Sequence, residues 1–237
     1  MIDTPVSTIS FFRFKDPSSK WNAFRQMGLS PGHLKGIEGM TFGKMLGTGA
    51  GQGFRMSPNW GDYGVLQSWE SEAASREFFS SHPWWQLLSD LSAEHWITHM
   101  QAFKSHGSWD GSQPFVEATT HAKDRTVGIL TRATIARPHL WHFWSRVARV
   151  SRAIQEVPIQ PLFSMGVGEL PIVQQATFSF WRNTSDMMAY AYQHPYHKEV
   201  VMKTRQNGWY SEELFARFHP YQTTGTLYGS NPLSGFL

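Results

Sequence analysis

The feature that most constrains this chain is an internal repeat. The sequence from Trp69 to Trp85 matches the sequence from Trp181 to His197 at a constant offset of 112 positions (181 − 69). A tryptophan begins each stretch, and a His-Pro pair follows at 82–83 and at 194–195. The last residue differs between the copies, because Trp85 in the first is His197 in the second. The repeat predicts two similar halves, of which the second carries a site.

The order of predicted elements is the same in both halves: strand, helix, two strands, helix, strand. In the first half, Asp16 and Pro17 predict the start of a helix that ends at Gly28, and Pro83 breaks the helix predicted between 71 and 91. The second half has long predicted helices over 138–155 and 185–207. We therefore expect an α+β fold in which two tandem ferredoxin-like halves join their sheets into one barrel-like core.

A second match supports the repeat. Gly107–Gly111 resembles Gly225–Gly229 at an offset of 118 (225 − 107). The polar, Gly- and Pro-containing residues 111–124 predict a linker between a first half of residues 1–110 and a second half of residues 125–237. Only the second half is expected to hold a cofactor.

Composition excludes several classes of function. The 237 residues include no cysteine, which rules out disulfides, thiolate-ligated haem, cysteine-bound iron–sulfur clusters and cysteine nucleophiles. The 11 Trp and 17 Phe predict either large aromatic cores or a flat apolar cavity for a macrocycle or a polyene. The net charge is +3, and the basic residues do not form the dense stripe that nucleic-acid binding needs. This modest positive charge fits an acidic redox partner or an anionic lipid surface.

The sequence shows no pattern that would target the protein to a membrane or to secretion. The N-terminal residues lack the pattern of a signal peptide, and no run of 18 apolar residues is present. We expect a cytoplasmic protein, and the sequence leaves open both contact with a membrane surface and association as a homodimer.

His197 is the candidate metal ligand. Pro195 is suited to begin a helix, so His197 falls in its first turn, where the positive end of the helix dipole favours a neutral, metal-binding imidazole. No second and third ligand lie at a spacing typical of zinc. A single axial His beside an apolar pocket is typical of haem, and the alternative is a structural histidine. The Gly-rich loop at 47–54 lacks the phosphate-binding patterns and is interpreted as a lid.

Seven ordered motifs then resemble those of spheroidene monooxygenase, the acyclic carotenoid 2-ketolase family. They are FGKMLGTG at 42–49 with QGF at 52–54, LTRAT at 130–134, FWSRV at 143–147, VSRAI at 150–154, GVGELP at 166–171, TFS at 177–179 and GWYSEELFARF at 208–218. Together they extend over nearly the whole chain.

The resemblance implies a haem b monooxygenase that oxygenates C2 of acyclic carotenoids to 2-oxo products, with dioxygen and reduced ferredoxin. It also implies the dimeric α/β barrel fold, in which haem lies between the sheet and the helices of the second half. In relatives of that fold, such as chlorite dismutases and aldoxime dehydratases, a His on the last long helix binds the iron. His197 is the matching residue in this sequence.

Further candidates surround this site. Lys44, Arg132 and Arg146 are predicted to pair with haem propionates or to polarise the distal ligand, with ordinary ion pairs as the alternative. The residues predicted to line an apolar channel are Phe54, Phe143 and Trp144.

His219 departs from the family pattern, which has Arg at this position. Strand alternation predicts Phe215, Arg217 and His219 on one face. His219 would then either deliver a proton to bound oxygen or simply occupy a strand end.

Two other functions stay open. One is a haem enzyme of the same fold with different chemistry, either aldoxime dehydration or peroxidation. The other is a cofactor-free monooxygenase or small-molecule binding module, in which His197 is structural.

Overall fold

The computed structural model describes residues 4–49, 58–140, 159–170, 173–193 and 209–237. The strands are β1 (Val6–Arg13), β2 (Met40–Gly49), β3 (Pro58–Trp69), β4 (Glu94–Gly107), β5 (Val127–Ile135), β6 (Phe163–Gly168), β7 (Gln174–Trp181) and β8 (Tyr210–Gly225). The helices in these ranges are α1 (Pro17–His33), α2 (Glu72–Ser81), α3 (Pro83–Leu91) and α4 (Thr184–Gln193), with one 3-10 turn over Arg137–His139.

The eight strands close into one antiparallel barrel in the order β1-β3-β2-β6-β7-β5-β8-β4. Strands β1–β4, the first strand set, lie side by side as β4-β1-β3-β2, and strands β5–β8, the second strand set, repeat that order as β8-β5-β7-β6. Two seams join the sets. The long seam pairs β4 with β8, and the short seam places Gly47 opposite Gly168 and Thr48 opposite Val167. The prediction of an α+β fold with a barrel core is thus confirmed.

Helix α1 is longer than predicted. Asp16 caps its first turn by accepting a hydrogen bond of 2.8 Å from the Ser19 amide, as expected. The helix does not end at Gly28 but continues through Pro31 to His33. Pro31 has no N–H to donate to the carbonyl of Met27. The Ser30 hydroxyl donates to that carbonyl instead, at 3.0 Å, which removes part of the cost of an internal proline.

The predicted break at Pro83 is confirmed. Ser71 caps α2, which ends at Ser81, and Pro83 occupies the first turn of α3. A proline fits there because the first amide groups of a helix have no partner within it. The predicted helix over 138–155 and the part of the 185–207 helix beyond Gln193 lie outside the described residues.

Aromatic side chains fill the interior of the barrel. Buried members of this cluster come from both strand sets and include Phe11, Trp96, Phe178, Phe180 and Phe218. Trp96 lies 6.0 Å from Phe11 and 5.7 Å from Phe180, measured between ring centroids. These contacts join the two strand sets through a shared core.

A second apolar cluster lies on the outer face of the first strand set, beneath α1, α2 and α3. Its buried members include Phe12, Val65 and Trp69 from the strands and Trp84 and Trp85 from α3. The successive residues of each strand therefore alternate between the barrel interior and the helix-covered face. Within the described residues, no helix combines the length and the hydropathy needed to cross a bilayer.

His99 makes the stability of this fold dependent on pH. It is buried on β4 beside Phe79, with ring centroids 5.3 Å apart, and Nδ1 has no hydrogen-bond partner among the described residues. Desolvation, with a smaller contribution from Arg76, lowers the pKa of His99 to about 4. The unfolded chain binds a proton near pH 6.5, so stability falls as pH drops from about 6.5 to 4.

We expect His99→Gln to flatten this profile, because Gln does not titrate. Between pH 7 and 4 the variant should lose about 3 kcal/mol less free energy of unfolding than the wild type. Urea unfolding at several pH values measures the difference, and coincident pH profiles for the two proteins would contradict the assignment.

Candidate functional site

The two strand sets pair in the same register. Val6 lies opposite Trp69 in the β1–β3 pair, and Val127 lies opposite Trp181 in the β5–β7 pair. Each tryptophan begins one copy of the repeat. Counting along the strands from these pairs identifies which positions of the two sets correspond.

Large side chains fill the outer face of the first set. Phe12, Met45 and Val65 are all buried there, and Phe12 contacts the Trp85 ring at a centroid distance of 5.2 Å. Trp85 is the repeat partner of His197. In the first set, an indole and a phenyl ring thus occupy the space between helix and sheet.

Three corresponding positions on the outer face of the second set carry small side chains. Ala133 takes the place of Phe12, because it lies six residues after Val127 as Phe12 does after Val6. Thr177 takes the place of Val65, and Gly166, opposite Thr177, takes the place of Met45, opposite Val65. The Thr177 hydroxyl is buried and has no hydrogen-bond partner among the described residues. At these three positions the second set is therefore less bulky than the first, and one of the three carries a polar group.

Apolar residues border that surface. A cluster on the outer face combines Ile129, Trp181 and Met187, with Tyr190 and Phe215 packed against it. The Trp181 indole donates to the Ser179 hydroxyl at 3.0 Å, which fixes its orientation. Five predicted site residues lie outside the described residues, namely Phe54, Phe143, Trp144, Arg146 and His197.

Arg132 lies at one end of the barrel, in contact with carboxylates of the same chain. Its side chain is 1% exposed and donates through Nη1 to the Glu212 carboxylate. Asp110 Oδ1 is 3.8 Å from Nη2, and the guanidinium carbon lies 5.0 Å from the centre of the Trp109 ring. Glu212 and Asp110 thus balance the charge of this arginine.

Lys44 belongs to the same cluster of charges. Its ammonium donates to Asp110 at 2.5 Å and to Glu169 at 2.7 Å. The Trp109 indole donates to the other oxygen of Glu169 at 2.7 Å. Although burial lowers the pKa of Lys44, these two carboxylates raise it above its usual range, so the ammonium stays charged. The structure therefore brings Lys44 and Arg132 together, as part of an ionic network that closes the barrel end.

A glycine turn completes each end of the barrel. The Gly111 amide donates to Glu212 at 2.9 Å, and the Gly229 amide donates to Glu94 at 2.6 Å at the opposite end. Gly107 precedes the first turn at φ +90, where an added Cβ would lie 2.1 Å from a carbonyl oxygen on β8. The two glycine motifs that match in sequence thus form matching turns.

Sequence reasoning did not predict the ion pairs of this network. Glu169 and Glu212 lie within the GVGELP and GWYSEELFARF motifs, which were the available signal. Their partners were not visible, because Glu169 is separated from Lys44 by 125 positions and Glu212 from Arg132 by 80.

We expect Glu212→Gln to destabilise the fold. Desolvation raises the pKa of Glu212, but hydrogen bonds from the Gly111 amide and Arg132 outweigh it and hold the pKa at about 2, so the carboxylate is charged at neutral pH. Removing it leaves Arg132 buried without its nearest counterion, at a cost of about 3–5 kcal/mol. Urea unfolding measures this loss.

The matched control is the double variant Arg132→Met/Glu212→Gln, which removes both charges. It should be more stable than Glu212→Gln alone, since no unpaired charge stays buried. Equal stability of the two variants would show that the pair is not coupled.

His219 is on the outer face of β8, as alternation predicts, because Leu214, Ala216 and Phe218 fill the interior. Its Nδ1–H donates to the Thr126 carbonyl at 3.0 Å, and its Nε2 accepts from the Ala122 amide at 3.1 Å. The ring also stacks on Phe103 at 4.3 Å. Desolvation, together with nearby positive groups, lowers the pKa of His219. A neutral ring with both nitrogens bonded to the main chain favours the structural role over proton delivery.

We expect His219→Ala to cost about 2–4 kcal/mol of unfolding free energy, because two buried main-chain groups lose their partner. The control is His121→Ala, since His121 is exposed and its one hydrogen bond among the described residues is to the Thr184 side chain, at 2.9 Å. Thermal and urea unfolding compare the two. A His219→Ala protein that is as stable as the wild type would instead favour a role in proton transfer.

Comparison with solved structures identifies the class of fold. A crystal structure of aldoxime dehydratase matches 99% of this chain and 87% of its own, with a TM-score of 0.67 and 11% identity. A second aldoxime dehydratase, in complex with butyraldoxime, matches 99% of this chain and 85% of its own with a TM-score of 0.65. At such low identity the similarity concerns the fold alone. No family model matches the chain.

Comparison with curated sequences is more specific. Spheroidene monooxygenase of Rhodobacter capsulatus is 35% identical over 233 residues, which cover 97% of this chain and 96% of that protein. The enzyme of the same name from Cereibacter sphaeroides is 32% identical, over 95% of this chain and 70% of its own. The Rubrivivax gelatinosus enzyme is 31% identical over 82% of this chain. The chain belongs to the spheroidene monooxygenase family.

Proposed function

We propose that this protein is a haem-dependent monooxygenase that oxygenates C2 of acyclic carotenoids, giving 2-oxo products. Identity to three spheroidene monooxygenases over most of the chain supports the oxygenation of a carotenoid. The small-residue surface on the second strand set is the observation that supports a flat cofactor. We further propose a cytoplasmic protein that reaches its apolar substrate at a membrane surface, while a homodimer stays a prediction.

The barrel is interpreted as two tandem ferredoxin-like halves, with residues 1–110 forming the first and 125–237 the second. The shared strand order and the matching Val6–Trp69 and Val127–Trp181 registers support this. The cofactor belongs to the second half in this proposal, because Phe12 and Trp85 fill the equivalent space in the first.

In this proposal His197 binds the iron of haem b. Phe12 and Trp85 are in contact in the first set. The second set has smaller residues at both corresponding positions, Ala133 and His197. Channel-lining roles are assigned to Phe54, Phe143 and Trp144. Arg146 is the proposed partner of a propionate, since Lys44 and Arg132 are already paired with Asp110, Glu169 and Glu212.

Bound haem would supply the chemistry that activates dioxygen. Each hydroxylation at C2 consumes one dioxygen, two electrons and two protons, and releases one water. A second hydroxylation at the same carbon gives a geminal diol, which loses water to form the ketone. The protein would orient the polyene along apolar side chains, exclude bulk water, and accept electrons from an acidic ferredoxin, for which a net charge of +3 is suitable.

Aldoxime dehydration is the rival chemistry, and the fold similarity with a TM-score of 0.67 motivates it. A cofactor-free monooxygenase is the second rival. It would leave unexplained why Ala133, Gly166 and Thr177 replace the bulky side chains of the first strand set.

The decisive test is the absorbance spectrum of the purified protein before and after addition of haemin. We expect a Soret band that is lost in His197→Ala, because the nitrogen that would bind the iron is removed. The matched control is His194→Ala, whose repeat partner His82 is also a histidine. The His194→Ala variant should keep the Soret band. Added imidazole should restore the Soret band of the His197→Ala variant.

Activity then separates the remaining chemistries. Haem-loaded protein should convert spheroidene to a 2-oxo product with dioxygen and reduced ferredoxin, as detected by mass spectrometry. Failure to gain a Soret band would eliminate haem, and conversion of butyraldoxime in place of spheroidene would favour the dehydratase.

A further inference from the structure

An exposed aromatic patch lies on the first strand set, away from the proposed cofactor surface. It consists of Trp21 and Phe24 on α1 and Trp60 on β3, whose exposed fractions are 61%, 43% and 56%. Ring centroids are 5.7 Å apart for Trp21 and Phe24 and 5.3 Å apart for Phe24 and Trp60. Three large rings in mutual contact yet open to solvent form a continuous apolar surface, which is typical of an interaction site.

The patch is held by a rigid support. The opposite side of α1 is buried through Ser19, Ala23 and Gln26. Gln26 accepts a hydrogen bond of 2.9 Å from the Trp84 indole of α3. Trp21 and Phe24 therefore project from a helix that is fixed against the barrel, and Trp60 projects from a barrel strand.

Two cations are next to the patch residues of α1. Helix α1 carries Lys20 and Arg25 and no acidic residue between Pro17 and His33. Neither cation has a carboxylate within ion-pair distance among the described residues. Lys20 also approaches the strand that carries Trp60, since its Cε lies 3.4 Å from the position a Cβ would take at Gly61. Asp16, the nearest acid in sequence, is engaged in capping the helix.

This combination suits the surface of an anionic bilayer. Indole rings are favoured at the membrane interface, where an apolar body meets a hydrated boundary. Lysine and arginine beside them gain about 1 kcal/mol each near an anionic lipid surface. An apolar protein partner would not require the cations, and an acidic protein partner would not require two exposed indoles.

We propose that Trp21, Phe24 and Trp60, with Lys20 and Arg25, form the surface by which this protein docks on anionic membranes. The inference deepens the proposed function, because a carotenoid dissolved in a bilayer is within reach only of an enzyme that binds that bilayer. The docking itself depends on neither haem nor substrate, so it can be tested separately.

Vesicle flotation tests the surface, using phosphatidylcholine vesicles with and without about one phosphatidylglycerol in three lipids. Wild-type protein should float with the anionic vesicles and much less with the neutral ones. The variant Trp21→Gln/Phe24→Gln/Trp60→Gln should lower the bound fraction by about tenfold or more. Lys20→Gln/Arg25→Gln should weaken binding to anionic vesicles only, and should reduce its sensitivity to about 0.5 M salt.

A matched control removes equally exposed apolar side chains elsewhere. Val116, Phe236 and Leu237 are 62%, 40% and 50% exposed, and their triple replacement by Gln should leave flotation unchanged. If the patch variant does not fold by circular dichroism, the single variants Trp21→Gln and Trp60→Gln should each weaken binding.

Three outcomes would overturn the proposal: wild-type protein that does not float, flotation that survives loss of the three rings, or flotation lost equally in the control. A wild-type dimer that becomes monomeric in the patch variant, without vesicle binding, would assign the surface to a second copy of the chain. The vesicles contain no carotenoid, so flotation without spheroidene conversion would refute the proposed function and keep the docking surface.

Discussion

A closed barrel of eight strands has an interior just wide enough for side chains, and this constraint governs the rest of the structure. The interior is filled by packed aromatic side chains, among them Phe11, Trp96, Phe178 and Phe218. Any site for a large flat ligand must therefore lie outside the barrel, between sheet and helix. The outer face of the first strand set is filled by aromatic side chains, so the small-residue face of the second set becomes the candidate.

Closure of the barrel also creates two open ends, which are sealed by polar groups. At one end Arg132 and Lys44 share the carboxylates of Asp110, Glu169 and Glu212. At the other end Tyr228 donates to Asp62, Arg13 lies 4.4 Å over the Tyr228 ring, and Glu94 accepts from a glycine amide. Cations that look available for a ligand in the sequence thus have structural partners. A positively charged residue in the sequence therefore does not by itself indicate a binding site, because it can form ion pairs that close the end of the barrel.

Local features were predictable from the sequence because they depend on neighbouring residues. The helix break at Pro83, the cap at Asp16 and the outward direction of His219 follow from rules that span a few positions. The end of α1 was not predictable from Gly28, since continuation depends on Ser30 bonding the carbonyl that Pro31 leaves free. The role of His219 was left open, because its partners Thr126 and Ala122 lie 93 and 97 positions away.

The sequence by itself determined the repeat, the alternation of the strands, the absence of cysteine chemistry and the resemblance to one enzyme family. Only the tertiary structure decided which side chains meet: that Lys44 and Arg132 pair with carboxylates, that His219 bonds the main chain, and that Ala133 stands where Phe12 stands in the first set. The physical reason is the separation along the sequence of the residues that interact. Periodicity is set by backbone geometry over a few residues, whereas the partners of each side chain are set by barrel closure, which brings together residues about a hundred positions apart.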